Sequence, residues 1–338
     1  MQKSKEIFSF RNPVFRYNAD IFAICLALSV TGIYHGGIYA LWQLLICSAT
    51  AVLCESIGFK AVLKKNTAAD LSALTTGMII ALLLPVSAPF YVGISASAFA
   101  ILVAKLPFGD VRNTPFLPAA AGFCFAAMMF TEAVFTYPAT GSDFAFFGTD
   151  SFVKGESLFD MLSKGNSLSL NVFGRVSLLS GAYPGAIGTT SMLVLAGGFG
   201  YMSLRHPKRL FASAGYLLAA AVFALLFPRV NSGRLSSLII ELSAGGLVFA
   251  ALLLITDPVT SPRKPDRAFF YGLTGGAVCM LLRYFSKAPD SACFSILITN
   301  ALWPAITGET ILAKKTAEKY RKPLMKKKAA LKGKAGTE

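Results

Sequence analysis

Apolar residues run through this chain in long blocks separated by short polar gaps. Such blocks fall at 19–34, 38–56, 70–87, 89–106, 116–135, 184–203, 210–227, 237–256, 269–286 and 292–312. A helix needs about 20 mostly apolar residues to cross the ~30 Å hydrocarbon core of a bilayer. The pattern therefore predicts an all-α polytopic membrane protein with about ten transmembrane helices, several of them paired as tight hairpins. One long polar segment, 136–183, interrupts the rhythm and leaves five blocks on either side. An odd number of spans per half predicts two inverted five-helix repeats. The echo between Asn113-Thr-Pro-Phe-Leu-Pro118-Ala and Asn300-Ala-Leu-Trp-Pro304-Ala agrees. The organisation expected is an N-terminal segment 1–18, a first half 19–135, an outer loop 136–183, a second half 184–312 and a basic tail 313–338. Loops as long as 136–183 seldom persist without a use, though a solvated connector between halves is the plainer reading.

Composition supports this picture. The chain is 54% hydrophobic and 14% charged, against about a quarter charged in soluble domains. A net charge of +15 invites a nucleic-acid reading, but that requires a basic face on a soluble fold, and here the cations sit in the gaps between apolar blocks. With the N-terminus inside, 25 of the 32 Lys and Arg fall on the cytoplasmic side, ten of them in the tail from Lys314 to Lys334. Only Lys154, Lys164, Arg175, Arg229, Arg234, Arg283 and Lys287 fall outside. This is the asymmetry that orients membrane proteins, and it predicts both termini in the cytoplasm and a place in the inner (cytoplasmic) membrane. The tail is expected to meet membrane lipids or an acidic subunit. The first block starts near Asn18, continues past Ile33 and lacks a small-residue cleavage exit, so it reads as a span and not as a signal peptide.

Candidate chemistry is sparse. The six cysteines all lie inside apolar blocks, none in a C-x-x-C pair, and there are two histidines, His35 and His206; a metal or Fe–S site requires clustered ligands. Pro85, Pro118 and Pro304 mark candidate broken helices, because backbone groups freed in a membrane must find protein or polar-cavity partners. Gly181, Gly185, Gly188, Gly197, Gly198 and Gly200 suggest a thin face for close helix approach on the sixth span. Asp70, Asp257, Glu55, Glu132 and Glu241 lie near span ends, where capping and interfacial roles are commoner than ion ligation.

Five strings carry a further signal. Ile255-Thr256-Asp257-Pro258-Val259-Thr260-Ser261-Pro262 resembles the ATDPVTSP signature of the RnfD/NqrB family, membrane subunits of ion-pumping flavin electron-transfer complexes. Pro184-Gly185-Ala186-Ile187-Gly188-Thr189-Thr190-Ser191 is similar to that family's PGSIGETS block. Asp70 to Gly77 with Leu84-Pro85, Phe108 to Ala119, and Pro289 to Pro304 resemble three more, in order and in register. Within the family the chain length resembles RnfD more than NqrB. The resemblance implies a membrane subunit of an Rnf-like complex, of the ferredoxin:NAD oxidoreductase (translocase) type. It would pass electrons through covalently bound FMN and couple this to sodium or proton movement. It also implies partner subunits, a flavin transferase, FMN joined to an outer-side threonine by a phosphoester, and room for a second, noncovalent flavin. Asp143-Phe-Ala-Phe146-Phe-Gly148-Thr149 matches the acceptor pattern in its Asp-to-Thr interval, making Thr149 the expected cofactor-binding residue. Phe146 replaces a hydroxyl residue there and Gly148 an alanine. Ser180-Gly181-Ala182-Tyr183 is a poorer rival, with tyrosine at the acceptor position. Phe144, Phe146, Phe147 and Phe152 could wall the flavin ring or pack the loop on the membrane surface. Thr189 stands where the family has glutamate and Leu117 where it has asparagine, departures that bear on ion coupling. The alternative is a cofactor-free channel or solute transporter on the same scaffold.

Overall fold

The computed structural model describes residues 13–63, 71–108, 114–139, 152–163, 177, 179–229, 233–286 and 291–307. The first element, α1 (Pro13–Leu63), has 51 residues. A straight helix of that length would extend about 76 Å, more than twice the hydrocarbon core. It is not straight. Gly37 adopts φ 65 and ψ −159, a left-handed backbone open to glycine because it has no Cβ. Tyr17 and Ser72 line one cleft, and Lys105 bridges Ser72 to Glu55, so residues 17 and 55 lie level with one another. Gly32 and Gly36 lie instead against Ile187 and Val86. The chain therefore reverses at Gly37, and the first two predicted blocks form one hairpin.

The first half continues with α2 (Leu71–Leu83), α3 (Phe90–Leu102) and α4 (Pro118–Met129). The prolines act at helix ends. Pro85 follows α2, whose backbone stops after Leu84 and turns, with the Ala88 N–H on the Pro85 carbonyl. Pro118 opens α4, where its missing N–H is no loss. Pro304 alone lies within a helix, α12 below. After the short α5 (Thr131–Val134), strand β1 (Tyr137–Pro138) pairs antiparallel with β2 (Lys154–Gly155), followed by α6 (Leu158–Ser163).

The second half comprises α7 (Met192–Arg205), α8 (Leu210–Leu226), α9 (Arg234–Ser243), α10 (Leu247–Phe249, continuing as π-helix over Ala250–Leu254), α11 (Pro265–Phe285) and α12 (Ser291–Thr307). Phe15–Gly58, Phe90–Phe108 and Pro265–Phe285 are long and apolar enough to cross a membrane, α9 with α10 qualifies as a pair bent by 67°, and α2, α4, α8 and α12 are shorter apolar helices. The eighth predicted block is thus broken at a site no proline marks: Gly245 (φ 61) and Gly246 (φ 65) turn the chain.

Packing between α8 and α11 is set by glycine. A Cβ on Gly272 would fall 1.9 Å from the Ala212 carbonyl oxygen, and one on Gly215 would fall 2.1 Å from that of Phe269. The two backbones touch, as membrane helices do when small residues line the seam. On α7 the thin-face expectation holds only in part. Gly198 packs on Leu252 and Ile24, whereas Gly197 and Gly200 face open space.

Candidate functional site

Two clefts lie at opposite ends of the bundle, each built from segments far apart in sequence. At the end bearing Gly36, the chain between Tyr183 and Ser191 enters the bundle without forming a helix. Its backbone needs partners, and it finds them on the end of α2: the Ile187 N–H donates to the Leu84 carbonyl (3.1 Å) and the Gly188 N–H to that of Leu82 (2.8 Å). Gly188 permits this approach, since a Cβ there would lie 2.7 Å from Leu82 Cβ. The Leu84-Pro85 and Pro184–Ser191 strings, about 100 residues apart, are two sides of one joint.

The same loop borders the outer cleft, about 20 Å³ in volume, together with Tyr137, Ser157, Phe159 and the turn Ser243, Gly245 and Gly246. Tyr183 donates its hydroxyl to the Ser243 carbonyl at 3.0 Å, tying the loop to the break between α9 and α10. The β1–β2 ladder stands beside it. Tyr137 pairs with Gly155, the Ala139 N–H donates to the Val153 carbonyl at 2.8 Å, and Gly155 is pressed on Pro184. Asp143 and Thr149 belong to the segment joining these strands in sequence and lie outside the described residues.

Arg283 and Lys105, which the charge count assigns to surface loops, are buried ion-pair partners. Arg283 donates to the carboxylate of Glu241 at 3.0 Å and to the carbonyls of Glu241 and Ala244 at 2.7 and 2.6 Å. These carbonyls are released by the break after α9, so the guanidinium completes the end of that helix. Lys105 Nζ donates to Glu55 Oε1 at 2.5 Å and to Ser72 Oγ at 2.7 Å. Both residues look like loop charges in sequence because they sit near span ends. Only an acid recurring at the matching depth of another span could have betrayed the pairs.

The inner cleft, about 50 Å³, is lined from the first half by Tyr17, Ser72, Thr76, Lys105 and Leu117, and from the second by Asp257 and Val259. Three of the five strings thus meet here. Asp257 accepts from the N–H groups of Val259 and Thr260, both at 3.0 Å, so the Asp-Pro-Val-Thr string is a self-capped turn. Burial holds its carboxyl above the ordinary aspartate range, and these donors act against that rise. Tyr17 shares a 2.7 Å hydrogen bond with Thr256, joining the N-terminal arm of α1 to this turn. Asn300 accepts from the Tyr271 hydroxyl, against which Trp303 packs edge-on. Asp20 gathers Arg205 (2.9 Å), His206 (2.7 Å) and Tyr201 (2.7 Å), a second tie between halves at the inner end.

The fit to flavin differs between the two clefts. Neither encloses a three-ring cofactor, for which pockets run from about 300 Å³ upward; each holds one to a few waters. A flavin held by its own covalent tether needs an acceptor hydroxyl and a surface to lie on. The outer rim of Tyr137, Phe159, Tyr183 and Pro184 supplies such a surface. The inner cleft does not fit a second, noncovalent flavin, and Leu117, which lines it, contributes no polar group toward one. Among the described residues no group of three or more His, Cys, Asp or Glu could hold a metal ion.

Comparison with known proteins places this architecture. The profile of the NQR2, RnfD, RnfE family matches residues 6–314. The chain is 30% identical over 293 residues to a subunit of the Na(+)-translocating ferredoxin:NAD(+) oxidoreductase complex of Acetobacterium woodii, covering 85% of each chain. It is 31% identical over 315 residues to a subunit of the ion-translocating oxidoreductase complex of Stutzerimonas stutzeri, covering 84% of this chain and 87% of the other. It is 29% identical over 300 residues to a subunit of the proton-translocating ferredoxin:NAD(+) oxidoreductase complex of Clostridium ljungdahlii, covering 85% and 88%. A helical, membrane-embedded chain with these matches along most of its length belongs to the NQR2, RnfD, RnfE family.

Proposed function

We propose that this chain is the RnfD-type membrane subunit of an ion-translocating, ferredoxin:NAD-type oxidoreductase complex and carries FMN joined by a phosphoester to Thr149. One observation beyond family membership carries the reading: the family's strings converge on two clefts at opposite ends of the bundle, and the outer cleft abuts the ladder that flanks the Thr149 segment. FMN, when bound, passes one or two electrons and so joins two-electron carriers to one-electron centres. The chain's own residues place and support that group. Pro184 and Gly155 set the ladder against the bundle, Tyr183 holds the loop to the turn at Ser243, and Arg283 keeps that turn closed.

The topology proposed with this function has ten spans in two inverted five-helix halves, both termini cytoplasmic, in the inner membrane. The pairing of loop ends supports it. Residues assigned by charge to the same side meet one another: His35 with Ser180 and Ser87 with Thr136 on the outer side, and Asp20 with Arg205 and Arg209 with Ser261 on the inner. Partners follow from the reading: other membrane and peripheral subunits, a flavin transferase acting on the segment Asp143 to Thr149, and membrane lipids around the basic tail. The ion, sodium or proton, passes through the assembled complex.

Affinity purification of the tagged chain from native membranes in mild detergent tests this. The expected result is co-purification of flavin and Fe–S subunits with ferredoxin-dependent NAD+ reduction that falls when Thr149 is changed to Val. Recovery of the chain alone, with solute flux in vesicles and no redox activity, would favour the cofactor-free channel or transporter.

A further inference from the structure

Beneath the outer cleft lies a charged cluster with unequal numbers of each sign. Glu241, 1% exposed, sits between two guanidinium groups: Arg283 Nη1 is 3.0 Å from one carboxylate oxygen, and Arg229 Nε is 3.6 Å from the other. Arg283 is 0% exposed. Arg229 lies on the Tyr284 ring at 3.8 Å and donates to the Arg283 carbonyl at 2.7 Å. Two cations on one anion leave a formal charge of about +1 in an apolar setting, where charge is expensive and retained for a use. Capping the carbonyls after α9 accounts for Arg283. It does not account for Arg229, since Arg283 with Glu241 is already neutral.

The cluster reaches the cleft by two routes. Arg283 donates to the carbonyls of Ala244 and Gly245, and Gly245 lines the cleft. Its guanidinium also lies 5.8 Å from the ring of Phe159, another wall. Only one layer of residues separates the fixed charge from the outer rim, and burial leaves its field weakly screened.

We propose that Arg229, Glu241 and Arg283 form an electrostatic positioning element for the outer redox site, whose net positive charge favours the reduced, more negative form of the flavin and so raises its potential. This rests on the reading of Thr149 as the flavin acceptor. The electron comes from a partner subunit and resides on the flavin; the cluster takes up neither electron nor proton. Its effect is the Coulomb energy of a unit charge at about 10 Å in an effective dielectric of about 20, on the order of tenfold in a one-electron equilibrium. Tenfold corresponds to about 59 mV.

A redox titration of flavin absorbance in the purified complex, with Thr149 as the observed flavin, tests the proposal. Arg229→Gln removes the excess charge and should lower the potential by about that amount. Glu241→Gln leaves two uncompensated cations and should raise it. The double variant restores the wild-type sum and the wild-type potential, and Arg229→Lys keeps both. Opposite signs from neighbouring conservative changes are not what loosened packing produces. Shifts of the same sign, or unchanged potentials with flavin present, overturn the proposal. A chain without flavin on Thr149 overturns the underlying reading, and is seen separately as a dark band on a denaturing gel.

Discussion

Removing either partner of the Lys105–Glu55 pair should destabilise the protein far more than removing both. The side chains are 3% and 0% exposed, with Nζ and Oε1 at 2.5 Å. At that separation an effective dielectric of about 20 gives roughly 7 kcal/mol of attraction, set against desolvation of several kcal/mol per ion. The net contribution of the intact pair is therefore small. Breaking it is different, because Glu55→Gln leaves an ammonium buried with Ser72 as its remaining neutral partner, and Lys105→Met leaves a buried carboxylate. Each single change should cost about 3–5 kcal/mol, whereas Glu55→Leu combined with Lys105→Met should return to within about 1 kcal/mol of wild type or exceed it. Equilibrium unfolding in mixed detergent micelles gives these differences, and the mutant cycle isolates the coupling. Singles within about 0.5 kcal/mol of wild type would refute the buried pair and return Lys105 to the role of an orientation charge.

Three further outcomes follow from the packing and the topology. Gly272→Ala forces a methyl to 1.9 Å from the Ala212 carbonyl and should cost about 1–3 kcal/mol or more, while Gly200→Ala, facing open space, should be neutral or gain about 0.5–1 kcal/mol of helix propensity; equal effects in a thermal-unfolding assay would contradict the α8–α11 seam. Tyr183→Phe removes the bond to Ser243 and should lower stability by about 1 kcal/mol; an unchanged unfolding midpoint argues that the loop is held elsewhere. Single cysteines at 149 and 154 in a cysteine-free background should react with an impermeant reagent from outside intact cells, and those at 64 and 264 only after permeabilisation. Labelling of 149 and 64 from one side would overturn the ten-span arrangement.

Much of this fold is readable in the sequence because a bilayer allows so few solutions. Apolar run length marks the helices, and Gly37 needs only the impossibility of a straight 51-residue span to be recognised as a reversal. The break at Gly245–Gly246 stays hidden, since the run from Leu238 to Ile255 is apolar almost throughout and glycine is common in membrane helices. The joint between Leu84 and Gly188 is invisible for another reason: it is made by backbone groups, which leave no trace in residue type. Buried pairs such as Arg283 with Glu241 read as surface charges because each partner lies near a span end, and only the bundle brings them to one depth. Resemblance identified the strings, but not that they sort into an inner and an outer cleft. Thr149 rests on sequence interval and on the flanking ladder.

The central claim is tested most directly by whether a flavin stays on the chain after denaturation. A phosphoester survives SDS, so the protein co-expressed with its flavin transferase should give a band that fluoresces under ultraviolet light, with a flavin mass on the peptide containing Thr149. Thr149→Val removes the acceptor hydroxyl while nearly keeping its shape, and should abolish that fluorescence at unchanged membrane expression. A dark wild-type band beside a fluorescent positive control, or fluorescence undiminished in Thr149→Val, would contradict the assignment.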